Sequence, residues 1–405
     1  MACRLIRRAS LLALGLCAAG AVASGQDDAA TPRRDPRRLA FGVEGLATVS
    51  TEDDEYFNYS SYGQSATRLM RLRVDASLRL GDRAAVLAEG RMDNGDGPSL
   101  SALYLRVRPL ANRAFDIQAG RIPPVFGAFT RRAYGADNPL IGLPLAYQYL
   151  TSLRSDSLPS SAHDLLLMKG LGWQSYYPIG SPTWDNGLPL VAADRWDTGV
   201  QARVVSGRVT AAAAVSQGTL SNPRVRDDNS GKQVSGRVEL RPVLGLVLGA
   251  SAAHGDYVSR DAETGLPPEA REDSHTQRAF GADAEFSRGY WLLRAEGVWS
   301  RWSVPRVAAP FFTGPLRSWG VFVEGRRKIR PGLFVAGRYD HLGFSRITDP
   351  YGPGTSTPWD APVSRVELGA GFSLRRNLLL KAAVQQNWRS GYSERIAAAQ
   401  ALFWY

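Results

Sequence analysis

ERIAAAQALFWY, residues 394–405, is the stretch on which the fold of this chain turns. Every second residue back from the end is apolar: Tyr405, Phe403, Ala401, Ala399 and Ala397. The other parity holds Trp404, Gln400 and Glu394. A period of two belongs to a strand with unlike environments on its two sides. A final strand of this kind, with no cap or tail after it, suits a sheet that closes on itself.

Working outward, the same pattern recurs from Leu39 onward. Alternating runs are joined by a very short turn, then a longer polar loop, then a short turn again. Strands are expected near 39–49, 67–80, 83–92, 99–109, 114–121, 195–205, 208–217 and 232–241. Eight more are expected near 246–256, 277–288, 290–303, 317–328, 333–345, 362–374, 378–389 and 394–405. About sixteen strands, with tight turns at one end and longer loops at the other, is the plan of a transmembrane barrel.

Charge parity carries the most weight. In 362–374, Val366, Leu368, Ala370, Phe372 and Leu374 oppose Arg365, Glu367, Gly369, Gly371 and Ser373. In 67–80, Met70, Leu72, Val74, Ala76, Leu78 and Leu80 oppose Arg71, Arg73, Asp75, Ser77 and Arg79. A charge facing lipid costs about 2–4 kcal/mol at the midplane, so one face must stay clean. A soluble β-sandwich shows the same period. It does not explain strands longer than the usual five or six residues. Nor does it explain aromatics such as Trp291 and Trp299 near both ends of one apolar face. The expectation is an all-β, closed antiparallel transmembrane barrel over 39–405.

The first residues read as an export leader, 1–23. Arg4, Arg7 and Arg8 precede a short apolar run at 11–16, and Ala21, Val22 and Ala23 form a small-residue cleavage site. Residues 24–38 are a polar, flexible lead-in. Both cysteines, Cys3 and Cys17, fall in the leader, which removes disulfides and Cys-based metal or redox sites from the mature chain. No apolar stretch after the leader is long enough for a membrane helix. Loss of the leader's arginines lowers the net charge from +11 to about +8. In an exported protein that basic balance points to anionic solutes or lipopolysaccharide, not to nucleic acid.

The connection 122–194 breaks the pattern. It carries Phe126, Phe129, Tyr134, Tyr147, Tyr149, Trp173 and Trp184, too apolar a set for solvent. A long loop of this kind is usually functional. It is expected to fold into the barrel mouth and narrow it. Pro123, Pro124 and Gly127 give a sharp departure from the strand before it. Leu145, Tyr149 and Leu153 at i, i+4, i+8 predict a short helix over 145–154, with Pro144 near its start and Arg154 at its end.

Two resemblances follow from these residues. Residues 394–405 resemble the closing strand of bacterial outer-membrane barrels, in which the terminal aromatic faces lipid. Phe403 and Tyr405 carry that signature, with Tyr in place of the commoner Phe. Residues 115–129, FDIQAGRIPPVFGAF, are similar to the strand and Pro-Phe-Gly turn of porins related to the phosphate-selective O/P group. Ile122 departs from that group, which often has a basic residue there. The resemblance implies about sixteen strands, a constriction loop after the fifth, a passive diffusion pore and frequent trimers.

On the lumen parity, basic residues outnumber acidic ones. Arg71, Arg73 and Arg106 are selectivity candidates there, as are Arg131, Arg132 and Arg154 in the long loop, because basic rings favour anions. The bland alternatives are ion pairs that brace the wall and a solvated external face. No H-E-x-x-H, G-x-S-x-G, phosphate loop or metal spacing occurs. His163 beside Asp164 and His341 beside Asp340 would point to opposite faces if strand-borne. No enzyme and no cofactor are expected. The short lead-in makes a plug-gated transporter or an autotransporter unexpected as well. The rival is a barrel plugged by 122–194, with a binding or structural role.

Overall fold

In the computed structural model the described residues are 38–59, 65–112, 114–132, 135–193, 196–227, 229, 231–271, 275–305, 314–352 and 354–405. The expected leader and nearly all of the expected lead-in lie outside them.

Sixteen antiparallel strands close into one barrel. They are β1 (Leu39–Ser50), β2 (Met70–Arg79), β3 (Ala84–Asp93), β4 (Ser99–Val107), β5 (Phe115–Ile122), β6 (Asp197–Ser206), β7 (Val209–Ser216) and β8 (Gln233–Leu240). The second half is β9 (Leu246–Asp256), β10 (Thr276–Arg288), β11 (Trp291–Trp302), β12 (Leu316–Arg330), β13 (Leu333–Phe344), β14 (Val363–Arg375), β15 (Leu378–Arg389) and β16 (Tyr392–Trp404). Closure comes from β16 pairing with β1, in a register from Glu44↔Trp404 to Ser50↔Ala398. Val43 and Tyr405 complete it by exchanging two backbone hydrogen bonds of 2.8 and 2.9 Å. The strand number and positions match the sequence reading, and none of the sixteen barrel strands is left with an open edge.

Parity sets inside and outside. On β14 Leu368 is 61 % exposed, whereas Arg365 and Glu367 are fully buried. On β16 Phe403 and Tyr405 face outward while Ile396, Gln400 and Leu402 are buried inside. Charge is kept off the outward face through the middle of the wall, as the lipid-facing cost demands. Short turns join β6 to β7 and β10 to β11, where Gly207 (φ 56°) and Gly289 (φ 59°) supply the left-handed backbone that tight hairpins need. Among the described residues no helix is long and apolar enough to cross a membrane.

The remaining structure is in the connections. Two small hairpins pair Ser157–Leu158 with Ile179–Gly180 and Arg346–Thr348 with Ser356–Pro358. Short helices are α1 (Leu145–Gln148), α2 (Ala162–Leu167), α3 (Arg260–Thr264) and α4 (Pro268–Arg271), and a 3-10 turn spans Phe129–Arg132.

The predicted helix over 145–154 is one turn only. Tyr149 is already extended (ψ 126°), and Thr151 and Leu153 exchange backbone hydrogen bonds with Leu188 instead. All residues from 145 to 155 are buried, so the apolar spacing reported burial, not helical period. His163 and Asp164 also sit in a helix and not in a strand. The Asp164 carboxylate accepts from the Ser160 N–H at 2.9 Å, and Ser161 Oγ accepts from the Asp164 N–H at 3.3 Å, a reciprocal N-terminal cap. The predicted opposition does hold on β13, where Asp340 is buried and His341 packs outward against Trp319.

Candidate permeation site

The segment between β5 and β6 enters the barrel immediately after Ile122. Pro123 and Pro124 stop the sheet, and Val125 packs with Ile122 and Ala214. Gly127 then takes a left-handed φ of 67°. A Cβ there would stand 2.5 Å from a Glu296 carboxylate oxygen and collide with the Tyr147 hydroxyl. Only glycine combines this backbone with so close an approach.

Inward side chains of the wall hold the segment. Glu296 on β11 accepts from the N–H groups of Ala128 (3.2 Å) and Phe129 (3.1 Å) and from the Tyr147 hydroxyl. Burial and the Glu296 charge push the Tyr147 phenol well above its ordinary value. Glu367 on β14 accepts from Ile141 (3.1 Å) and Gly142 (2.9 Å). Lys381 on β15 donates to the carbonyls of Gly135, Asn138 (2.6 Å) and Leu140 (3.3 Å). Arg338 joins Glu367 at 2.7 Å, Asp340 at 3.0 Å and Glu324 at 3.2 Å, and donates to the Gly142 carbonyl at 2.6 Å. A buried charge demands such complete pairing.

Beyond residue 145 the segment builds an apolar core inside the mouth. Phe126, Leu145, Leu153, Leu158, Leu165, Tyr177 and Val191 pack with Phe57, Tyr257, Trp302 and Trp359 from the wall and other connections. Asp360, fully buried, ties this layer down. It accepts from the N–H groups of Ser152, Gly170 and Ala361, each at 2.7 Å.

The predicted site residues separate into distinct environments. Arg132 reaches Glu285 at 2.5 Å and is half-buried. Arg131 lies in the same 3-10 turn, and its side chain falls outside the described residues. Arg154 is corrected: it does not line an opening. It is fully buried, paired with Asp156 at 2.9 Å and donating to the carbonyls of Ser175 (2.7 Å) and Thr183 (2.6 Å). Arg71 forks onto Asp93, and Arg73 lies 3.9 Å from Glu44 and 4.0 Å from Asp75. Arg106, half-buried on the inward face of β4, has no hydrogen bond or ion pair among the described residues, nor does the side chain of Arg326 on β12, which stacks over Phe334. The bracing alternative therefore accounts for much of the basic excess: Arg237, Arg294 and Arg338 are all committed to carboxylates.

Asp137, exposed on the segment, lies within electrostatic reach of Arg73, Arg294, Arg132 and Lys381. Sequence reasoning placed Glu367 on the charged face of its strand but missed that it, Glu296 and Lys381 anchor the segment. It missed Asp360 altogether, because the partners of these side chains are backbone groups that leave no residue-type signature. Among the described residues no cluster of His, Cys, Asp or Glu is arranged to hold a metal.

No protein-family model and no curated protein sequence matches this chain. Solved structures do. An anion-selective porin from Comamonas acidovorans superimposes with a TM-score of 0.57 at 10 % identity, covering 91 % of this chain and 100 % of that one. The outer-membrane protein OmpT of Vibrio cholerae, as a loop-deletion mutant, gives 0.55 at 13 %, covering 91 % and 99 %. The outer-membrane channel DcaP of Acinetobacter baumannii gives 0.54 at 10 %, covering 91 % and 97 %. At these identities the likeness is one of fold: the chain has the sixteen-stranded barrel of outer-membrane porins.

Proposed function

We propose that this chain is an outer-membrane porin through which small hydrophilic solutes diffuse down their gradients, with a bias towards anions. The observation that carries the reading is an asymmetric lumen. Residues 126–132 and 135–149 are anchored on inward groups of β9, β11 and β13–β15, while the arginines of β2–β4 line another arc. The segment sets the bore, and Arg106 and Arg326 supply cationic charge that no described carboxylate pairs with directly. A low-dielectric channel focuses such charge onto passing ions. The likeness of 115–129 to O/P-type porins makes phosphate a solute to test. Residues 1–23 direct export, 24–38 lead into the wall, lipid surrounds the apolar outer face, and a homotrimer is the assembly that the porin resemblance implies.

One observation favours a second reading. The apolar core in the mouth, from Phe126 to Val191, is of the kind that plugs a barrel. Single-channel recording in planar bilayers under a KCl gradient tests both. Open steps with an anion-favouring reversal potential support the porin. Cation preference removes the bias and keeps the pore. Silence from a folded barrel, relieved by deleting the middle of 122–194, would establish the plug instead.

A further inference from the structure

The outward face carries a feature that permeation does not use. His254 on β9, Arg278 on β10, Arg301 on β11 and Arg317 on β12 are direct cross-strand partners in an unbroken lateral row. All four are exposed and share the parity of the apolar outer wall. With strands about 4.8 Å apart, the row spans roughly 14 Å. Like charges opposite one another repel, and among the described residues no carboxylate pairs with any of the three arginines. Elsewhere on this rim Val49, Val215, Val234 and Trp388 are uncharged, and Arg121 and Arg395 stand singly rather than in a row.

The row sits at the long-loop end, next to connections 257–275 and 303–315. One pair nearer the barrel middle, Phe280, Trp299 and Trp319 are likewise mutual neighbours and exposed. The Trp299 ring lies over Gly297, where a Cβ would come within 2.8 Å of it, and the Trp319 ring lies over Gly343 in the same way. The indoles are thus flattened against the wall and form an apolar shelf directly beneath a cationic row. A lipid with an anionic head and several acyl chains matches both layers at once. A free anion matches only the upper one.

We propose that this row docks the phosphorylated headgroup of an outer-leaflet lipid, its phosphates forked by neighbouring arginines and its chains laid on the Phe280–Trp299–Trp319 shelf. The proposal rests on the outer-membrane placement but not on conduction.

The test uses the full barrel in detergent micelles doped with bisphosphoryl lipid A, with retained lipid read by native mass spectrometry. Wild type should keep the lipid, and R278Q/R301Q/R317Q should lose it by about tenfold or more. R288Q/R327Q, altered at the opposite rim where Trp291 separates the two arginines, should behave as wild type. Dephosphorylated lipid should not be retained. Equal retention by the triple variant overturns the proposal. Displacement by inorganic phosphate at matched concentration also overturns it, since the site would then be one for free anions. Heat-modifiable gel migration and unchanged single-channel conductance report that the variants are folded. If the triple variant does not fold, Arg301→Gln alone is read the same way. A barrel that conducts and binds no lipid would sink this proposal and leave the porin standing.

Discussion

Arg338 and Glu367, both fully buried, meet at 2.7 Å, and both hold the same residue of the inserted segment. Arg338 donates to the Gly142 carbonyl and Glu367 accepts from the Gly142 N–H. The pair is a clamp on one peptide, built by two adjacent strands.

Breaking that clamp should free the segment. Glu367→Ala strands the N–H groups of Ile141 and Gly142 and removes one of the three carboxylates around Arg338. Arg338 keeps Asp340 and Glu324, so the loss is set by the two stranded N–H groups, at about 1–3 kcal/mol each. Glu367→Gln keeps an acceptor and should cost less. The expected readouts are a new protease cut near residue 140 and larger, noisier conductance steps. An unchanged digestion pattern would show that the anchorage lies elsewhere.

Lys381 acts as a tethered cation for three carbonyls. Lys381→Met keeps the stem and removes the ammonium, leaving each dry carbonyl at a cost of about 1–3 kcal/mol. Amides 135–142 should exchange faster in hydrogen–deuterium measurements, with the strand amides of β15 unaffected. Equal protection in both proteins would argue against the cage.

Selectivity should follow the arginines that lack a direct ion pair among the described residues and ignore the buried one. Arg106→Glu and Arg326→Glu should each lower the anion-to-cation permeability ratio by a factor of about two or more in a KCl gradient. Arg154→Gln should lower the segment's resistance to protease and leave the sign of the reversal potential unchanged. A reversal that moves with Arg154 alone would transfer the selectivity to the segment.

Asp360 gives a pH dependence. Burial outweighs its three backbone donors and holds its carboxyl above the ordinary value of 3.8. A raised acid contributes most to stability below the ordinary value, and that contribution is lost as pH rises through the raised one. At neutral pH Asp360→Asn removes the buried charge and keeps the oxygen that accepts from Gly170 and Ala361 but loses the one that accepts from Ser152, so it should hold the mouth better than Asp360→Ala. Asp360→Ala should be worse by about 1–3 kcal/mol, with the Ser152 and Gly170 amides exchanging faster. Equal behaviour of the two variants would remove the acceptor role.

Much of the wall was legible because strand direction is written into every second residue. Val366 and Leu368 against Arg365 and Glu367 say which side is out before any partner is known. The helix expected over 145–154 failed for the complementary reason. Inside the mouth every face is buried, so apolar spacing no longer distinguishes one side of an element from another. The strand condition does not apply to His163 and Asp164, and the sequence did not show it because the capping hydroxyl that makes them helical is a local contact with several conformational uses.

By itself the sequence determined the barrel: its sixteen strands, their turns, the outward apolar face and the position of the one long insertion. Each follows from covalent geometry, since alternate side chains of an extended chain must point opposite ways. The tertiary structure alone decided what the charges do. Arg338 finds Gly142 at a separation of 196 positions and Lys381 finds Gly135 at 246. Pairings over such distances depend on cross-strand register and on the path of a segment without period, and neither is encoded in the local pattern. Arg154 and Arg106 look alike in sequence. One is locked among carbonyls and the other faces the lumen, because only the folded chain brings the carbonyls to the first and leaves the second without a described partner.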